Sequence, residues 1–336
     1  MTSRERVIRT LNFQPVDRTP RDLWALPGVN LYRKQELEHV KKLYPSDFSG
    51  PDIKWGESSR KKGIKGEIGF WTDDWGCVRE TRTAGVGGEI VLPPLKCWDS
   101  FDNYQPPWEV INNSDFSNAN KSCVNAEKFM MIGSGVTVFH RMQFLRGSEN
   151  LYMDLAYGTK EIYKLREMIH EYNLKTIELC ANTDADAVQF LDDWGTQTSM
   201  IISPEMWREI FKPLYRDYCD ILKNKGKFIF YHSDGFIEPI YPDLIELGIN
   251  AINSQLFCMN IEELGMKYAG KIVFWGEIDR QHVLPFGTPN EVAAAIRRVA
   301  AALRFNGSGV IAQCEWGVND PVENIIAVFE EWDKIQ

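Results

Sequence analysis

KFIFYHSDGFIEPIYPDLIELGINAINSQ, residues 227–255, is the stretch from which the fold is read. Lys227 to Tyr231 is a short apolar run of the kind that forms a buried strand, and the polar group His232-Ser233-Asp234-Gly235 follows it. An amphipathic helix near Pro239 to Leu247 comes next, and Ile249 to Asn253 is again a strand. Strand, helix and strand at this spacing define a right-handed crossover between parallel strands.

Working outward, the alternation continues on both sides. Downstream, a helix from about Ile261 to Tyr268 precedes a strand at Lys271 to Trp275. Thr288-Pro289-Asn290-Glu291 opens the next helix, with Thr as cap, Pro in the first turn and Glu closing a capping box. Val292, Ile296, Val299 and Leu303 fall on its inner face, and Asn306-Gly307 ends it. Val310 to Gln313 is a further strand, and Asp320-Pro321-Val322-Glu323 is expected to cap the last helix. Upstream, Arg21 to Ala25, Met130 to Gly133 and Ala187 to Leu191 read as strands. Ser203-Pro204 opens a helix that reaches Lys225, with a kink expected at Pro213. Residues 46–122 are rich in Gly, Pro, Asn and Trp without clear periodicity, and read as insertions or long loops over one face. Six or seven such units form either a closed barrel or an open doubly wound sheet. No G-x-G-x-x-G follows a strand and no Walker loop is present, so the expectation is an α/β fold, a (β/α)8 TIM barrel with loop insertions in its N-terminal half. Nothing marks a linker, and residues 1–336 are taken as one barrel domain.

With 44% hydrophobic and 25% charged residues the chain has the composition of a globular protein able to bury a core. A net charge of −9 without a dense basic stripe argues against nucleic acid or an anionic membrane as a partner. No apolar run is long enough to span a bilayer and no signal-type segment opens the chain, so the cytoplasm is expected. Arg4, Arg6 and Arg9 have the look of a transit peptide, but Thr2 and Glu5 form a capping-box pattern for a short amphipathic helix. Seven scattered cysteines, an odd number, do not make a disulfide framework.

In a barrel, polar residues just past the C-terminal ends of strands line the active site. This rule selects Asp192 and Asp193, His232 and Asp234, Asn253 and Gln255, Glu277 and Asp279, and Gln313, Cys314 and Glu315. One thiol, one imidazole and several carboxylates on one face suit a three-ligand zinc site with an open fourth position, although no C-x-x-C or H-E-x-x-H pairs the ligands locally. Each residue also has a plainer role available. Cys314 suits an inert buried thiol, His232 a core histidine, Glu277 a partner for Arg280, and Asp192 and Asp193 a turn cap. Adjacent strand residues point to opposite sides, so at most one of the two aspartates faces the axis.

The opening MTSRERV and LNFQPVDR (residues 1–7 and 11–18) resembles the start of proteins of the uroporphyrinogen decarboxylase superfamily. So do DAVQFLDD at 186–193, Ser203-Pro204 before Phe211-Lys212-Pro213, and HSDG at 232–235 before PDLIELG at 242–248. The pieces are short, but their order is distinctive and spans the chain. The resemblance implies one of two activities. The decarboxylases use arginines in an N-terminal segment that reads Leu23-Trp-Ala-Leu-Pro-Gly28 here and lacks them, which disfavours a polycarboxylate substrate. The corrinoid-dependent methyltransferases hold zinc with an H-x-C motif and a distant cysteine. His232 and Cys314 match two of these positions, and the third has become Asp234, with Glu277 as another oxygen donor.

The expected ligands are therefore His232, Cys314 and either Asp234 or Glu277, with Asp192 or Asp193 and Gln255 positioning substrate. Trp71, Trp75, Trp194, Phe257 and Trp275 are candidates for an aromatic pocket, or equally for core. The implied activity is methyl transfer between a small substrate, with an O-methyl or methoxy donor in view, and the cobalt of a corrinoid (cobalamin) carried on a partner protein. The alternatives are a metal-free carboxy-lyase, for which Arg21, Arg141 and Arg146 are the candidate mouth arginines, and a non-catalytic corrinoid-binding protein.

Overall fold

The computed structural model describes residues 1–335. Eight parallel strands form the barrel: β1 Arg21–Ala25, β2 Phe48–Ser49, β3 Phe129–Gly133, β4 Ala187–Leu191, β5 Phe228–Ser233, β6 Ala251–Ser254, β7 Val273–Trp275 and β8 Val310–Trp316. Their order around the sheet is β1-β8-β7-β6-β5-β4-β3-β2, so a (β/α)8 barrel lacks only a ladder between β1 and β2. That seam is bridged where Asp47 N donates to Arg21 O at 2.9 Å. The Asp47 carboxylate, wholly buried, accepts from Arg21 N at 2.7 Å and pairs with Arg6 at 2.7 Å and Arg18 at 2.8 Å. This cluster lies at the N-terminal ends of the strands, the end that serves stability.

Strand alternation decides which residues see the barrel axis. Phe48, Phe129, Ala187, Phe230, Ala251, Val273, Trp275 and Ile311 form the interior cluster. Val7 and Leu11, from the helix Ser3–Leu11 that Thr2 caps, join that cluster. Alternate residues such as Ile132, Val188, Ile229, Ile252, Phe274, Val310 and Ala312 pack outward into the larger layer between sheet and helices. Trp275 is central to the interior, edge-on to Trp24 and to Phe230 with centroids 5.0 Å away in each case.

Most elements lie where their patterns place them, and the differences have local causes. Phe48–Ser49 is a strand of two residues, too short to produce a pattern. The stretch expected to be loops carries an antiparallel sheet of Gly69–Thr72, Val78–Thr81 and Glu89–Leu92. Phe70, Val91 and Leu92 are exposed there, so the alternation that betrays a half-buried strand is missing. The helix opened by Ser203 is broken at Phe211 into Pro204–Ile210 and Lys212–Asn224, with Pro213 in the first turn of the second piece. Asp320 does not cap the last helix: its carboxylate accepts from Gly317 N at 2.6 Å, and the helix Val322–Lys334 begins after Pro321 without a side-chain cap. All seven cysteines are free thiols. Among the described residues no helix is long and apolar enough to cross a membrane.

Candidate functional site

The same alternation that places Phe230 inside the barrel brings His232 inward at the end of β5. One ligand atom each from Asp193, His232 and Asp234 lie within 4.8 Å of one another there. His232 Nε2 stands 3.5 Å from Asp193 Oδ1 and 3.7 Å from Asp234 Oδ1. Two ligand atoms about 2.1 Å from a tetrahedral zinc are about 3.4 Å apart, so both edges match a small divalent ion. The backbone holds the carboxylates in place: Asp234 N donates to Asp193 Oδ1 at 2.9 Å, and Gly235 N donates to Gln255 Oε1 at 2.8 Å.

Residues around the trio fix its chemistry. Asn253 Nδ2 donates to Trp275 O at 2.5 Å, which leaves Asn253 Oδ1 as the acceptor facing His232 Nδ1 at 2.6 Å. His232 therefore carries its proton on Nδ1 and turns the Nε2 lone pair toward the carboxylates, the tautomer a metal ligand needs. His140 Nε2 lies 3.1 Å from Asp193 Oδ2. Burial pushes the Asp193 carboxyl up, but the hydrogen bond and positive charge of His140 and the backbone N–H of Asp234 outweigh it and hold it below the ordinary value. Asp193 is thus ionised throughout the neutral range. On the other side Arg280 Nη2 approaches Asp234 Oδ1 to 2.5 Å, while its Nη1 reaches Glu315 Oε1 at 2.7 Å. The Trp24 ring lies 5.6 Å from His232 as an apolar wall, and Asp22 accepts from Trp24 Nε1 at 2.8 Å and Trp275 Nε1 at 3.0 Å.

The residues singled out in the sequence separate into two groups. Asp193, His232 and Asp234 converge. Cys314 does not join them: it shares the outward parity of Val310 and Ala312 and is fully buried in the layer between sheet and helices, where burial raises its thiol well above the ordinary range. Glu277 is also outside the trio. It is buried beside Arg280, with Nε to Oε2 3.9 Å, in a cavity of about 170 Å³ shared with Gln255, Phe257 and Cys258, and burial raises its carboxyl strongly. Asp192 faces away from the axis and receives Val138 N at 2.6 Å, Phe139 N at 3.0 Å and His140 N at 2.8 Å, anchoring the helix Phe139–Arg146. Gln255 braces the loop after β5 as described. His140, Asn253, Trp24 and Asp22 complete the site without having been assigned roles in it. Of these, Asn253 and Asp22 carry a readable signal, since each is a polar residue at an inward position of a strand.

The five aromatic candidates do not form one pocket. Trp194 is buried outside the barrel against Phe139 and Phe211, Trp275 is interior core, and Trp71 sits in the small antiparallel sheet. The three arginines are equally dispersed. Arg21 ion-pairs with Asp333, and Arg146 with Asp154 at 2.7 Å, whereas Arg141 lines a separate cavity.

The family model of uroporphyrinogen decarboxylase (URO-D) matches residues 124–335. The sequence comparison with curated proteins gives no match. Among solved structures, a methyltransferase from Methanosarcina mazei superposes with a TM-score of 0.69 at 13% identity, covering 99% of both chains. A glycosylated endo-β-1,4-xylanase from Gloeophyllum trabeum gives 0.38 at 8% identity over 65% of this chain and 80% of its own.

Proposed function

The chain belongs to the uroporphyrinogen decarboxylase family, and from that premise we propose that it transfers a methyl group between a small substrate and the cobalt of a corrinoid carried on a partner protein. The observation that carries this reading is the convergence of Asp193, His232 and Asp234 at the barrel mouth, with donor spacings that suit zinc. The whole-length likeness to a methyltransferase supports it. So does the dispersal of the arginines, because a polycarboxylate macrocycle needs several guanidinium partners in one place.

His232 and the two aspartates would hold the ion, in place of the ligand set with Cys314. A zinc ion so held supplies Lewis acidity to an oxygen of the methyl donor, or holds an acceptor as its anion. The set of one nitrogen and two oxygens is harder than a thiolate site, which favours an oxygen-bearing methyl donor over a thiol. The protein's own contribution is geometric. Asn253 keeps the Nε2 lone pair of His232 available, His140 holds the outer oxygen of Asp193, and Arg280, anchored on Glu315, holds Asp234 from the other side. Trp24 shields one side of the site from water.

The test is zinc content of the protein beside His232→Ala, Asp193→Asn, Asp234→Asn and Cys314→Ser variants, followed by methyl-donor assays with cobalamin as acceptor. About one zinc per chain, lost in the first three variants and retained in Cys314→Ser, is the expected result. No zinc in any of the proteins would move the assignment to a metal-free lyase.

A further inference from the structure

A second cavity of about 320 Å³ opens beside the C-terminal end of β3, between the Gly133–Val136 turn, residues 73–75 of the insertion and the long helix Lys160–Ala181. It is large enough for a small molecule. Its walls combine apolar faces from Trp55, Trp75 and Tyr172 with the charged groups Arg141, Asp73 and Asp74.

Arg141 is partly buried and carries one of several guanidinium nitrogens that are buried without a hydrogen bond. Its guanidinium lies 4.5 Å from the Trp75 ring, and its Nη1 is buried without a hydrogen-bond partner. Its carboxylate partner, Asp73 Oδ2, is 3.6 Å away, beyond hydrogen-bond distance, and is shared with Arg79 Nε at 3.8 Å, which is also buried without a hydrogen bond. Asp73 is occupied elsewhere, since its Oδ1 accepts from Trp75 N at 3.0 Å and Cys77 N at 2.9 Å. Two guanidinium groups therefore face one carboxylate that bonds neither. Of the two, only Arg141 lines the cavity, and its planar guanidinium on the Trp75 ring is complementary to a carboxylate. Asp74 supplies the opposite charge in the same cavity: its Oδ1 accepts from Ser58 N at 2.8 Å, leaving its second oxygen for another donor.

We propose that this cavity binds a small amino carboxylate, with the carboxylate on Arg141, the ammonium toward Asp74 and the side chain against Trp55 and Tyr172. None of the trio lines this cavity, and the proposal does not rest on methyl transfer.

The experiment is equilibrium binding to the full chain, without methyl donor or corrinoid. The common free amino acids are screened by thermal shift, and the one with the largest effect is titrated calorimetrically beside its des-amino acid and its decarboxylated amine. The intact zwitterion is expected to bind at least about 10-fold more tightly than either analogue, since each lacks one charge-assisted contact. Arg141→Gln is expected to reduce zwitterion binding at least about 10-fold. Asp74→Asn, which keeps an acceptor for Ser58 N, is expected to weaken the zwitterion and leave the des-amino acid unchanged, and it carries the test if Arg141→Gln fails to fold. A screen in which no amino acid raises the midpoint would overturn the proposal. Equal binding of the zwitterion and its analogues, or undiminished binding by a folded Arg141→Gln, would do the same.

Discussion

Asp192 and Asp193 are neighbours in sequence with opposite duties, and substituting them separately tests the division between scaffold and site. Asp192 gives one carboxylate to three backbone N–H groups, those of Val138, Phe139 and His140, and to the Tyr215 hydroxyl at 2.5 Å. Asp192→Ala leaves all four donors without their acceptor. Each buried donor left unpaired costs about 1–3 kcal/mol, and water entering the space recovers part of it, so a net loss of about 3–5 kcal/mol is expected. Set against a total of about 5–15 kcal/mol, that is a large fraction of the fold's stability. Asp192→Asn keeps one acceptor oxygen and should lose about 1–3 kcal/mol. Asp193 is partly exposed at the mouth, and Asp193→Asn retains an acceptor for Asp234 N but loses the ion pair with His140, so its stability should fall by about 1–2 kcal/mol, less than in Asp192→Ala, while zinc is lost. Urea unfolding followed by tryptophan fluorescence gives the stabilities, and elemental analysis gives the metal. If Asp193→Asn proved more destabilising than Asp192→Ala, the assignment of the two carboxylates would be wrong.

Three further outcomes are expected. Asp47→Ala removes the buried partner of Arg6 and Arg18 at the β1–β2 seam and should lower stability by about 3–5 kcal/mol at pH 7. Burial raises the Asp47 carboxyl but its bonds to Arg18 and others hold it below the ordinary value. Its contribution is therefore present above the unfolded carboxylate value of about 4 and lost as pH falls through the lower folded one, so the difference between wild type and variant in denaturant melts should shrink below that pH. Asp22 behaves with the opposite sign. Burial pushes its carboxyl up to about 6, so its protonated form stabilises the fold below about pH 4 and that advantage disappears as pH rises through 6. Asp22→Asn, whose amide oxygen can still accept from both tryptophans, should be as stable as wild type at pH 4 and gain up to about 3 kcal/mol over it at pH 8, and a variant less stable at pH 8 would contradict this reading. Asn253→Ala frees the His232 tautomer and is expected to weaken zinc binding about 10- to 100-fold in a chelator competition, with little change in the protein's melting temperature relative to Asp192→Ala.

Seven of the eight barrel strands are legible, six of them because they bury both faces and are dominated by apolar residues, and Arg21–Ala25 from the shorter apolar group Leu23-Trp24-Ala25. The eighth, Phe48–Ser49, is held by its neighbours: Phe129 N donates to Asp47 O and Arg21 O receives Asp47 N, so its pairing comes from elements distant in sequence. The small sheet of residues 69–92 is illegible for the opposite reason, having too little buried surface to impose a pattern. Local capping is legible where the side chain competes for its own helix, as at Thr288 with Glu291, and not where a nearer backbone donor takes the side chain, as at Asp320.

At the mouth, the difference between the expected ligands and the converging ones comes down to strand length. The apolar run ends at Gln313, which leaves Cys314 apparently free to turn toward the mouth. β8 instead continues to Trp316, and a residue inside a strand has its direction fixed by its neighbours: with Val310 and Ala312 outward, Cys314 must be outward too. The same parity counted from Phe230 sends His232 inward; Asp234 and Asp193 stand one and two residues past the ends of their strands, where the count continued from Phe230 and Ala187 also puts them inward and Asp192 outward. In β5 and β8 polar residues end the apolar run before the strand ends, so hydrophobicity marks those boundaries too early. Counting parity from the buried strand core, past the last apolar residue, places Asp193, His232 and Asp234 inward together with Asn253 and Glu315, and places Cys314 outward.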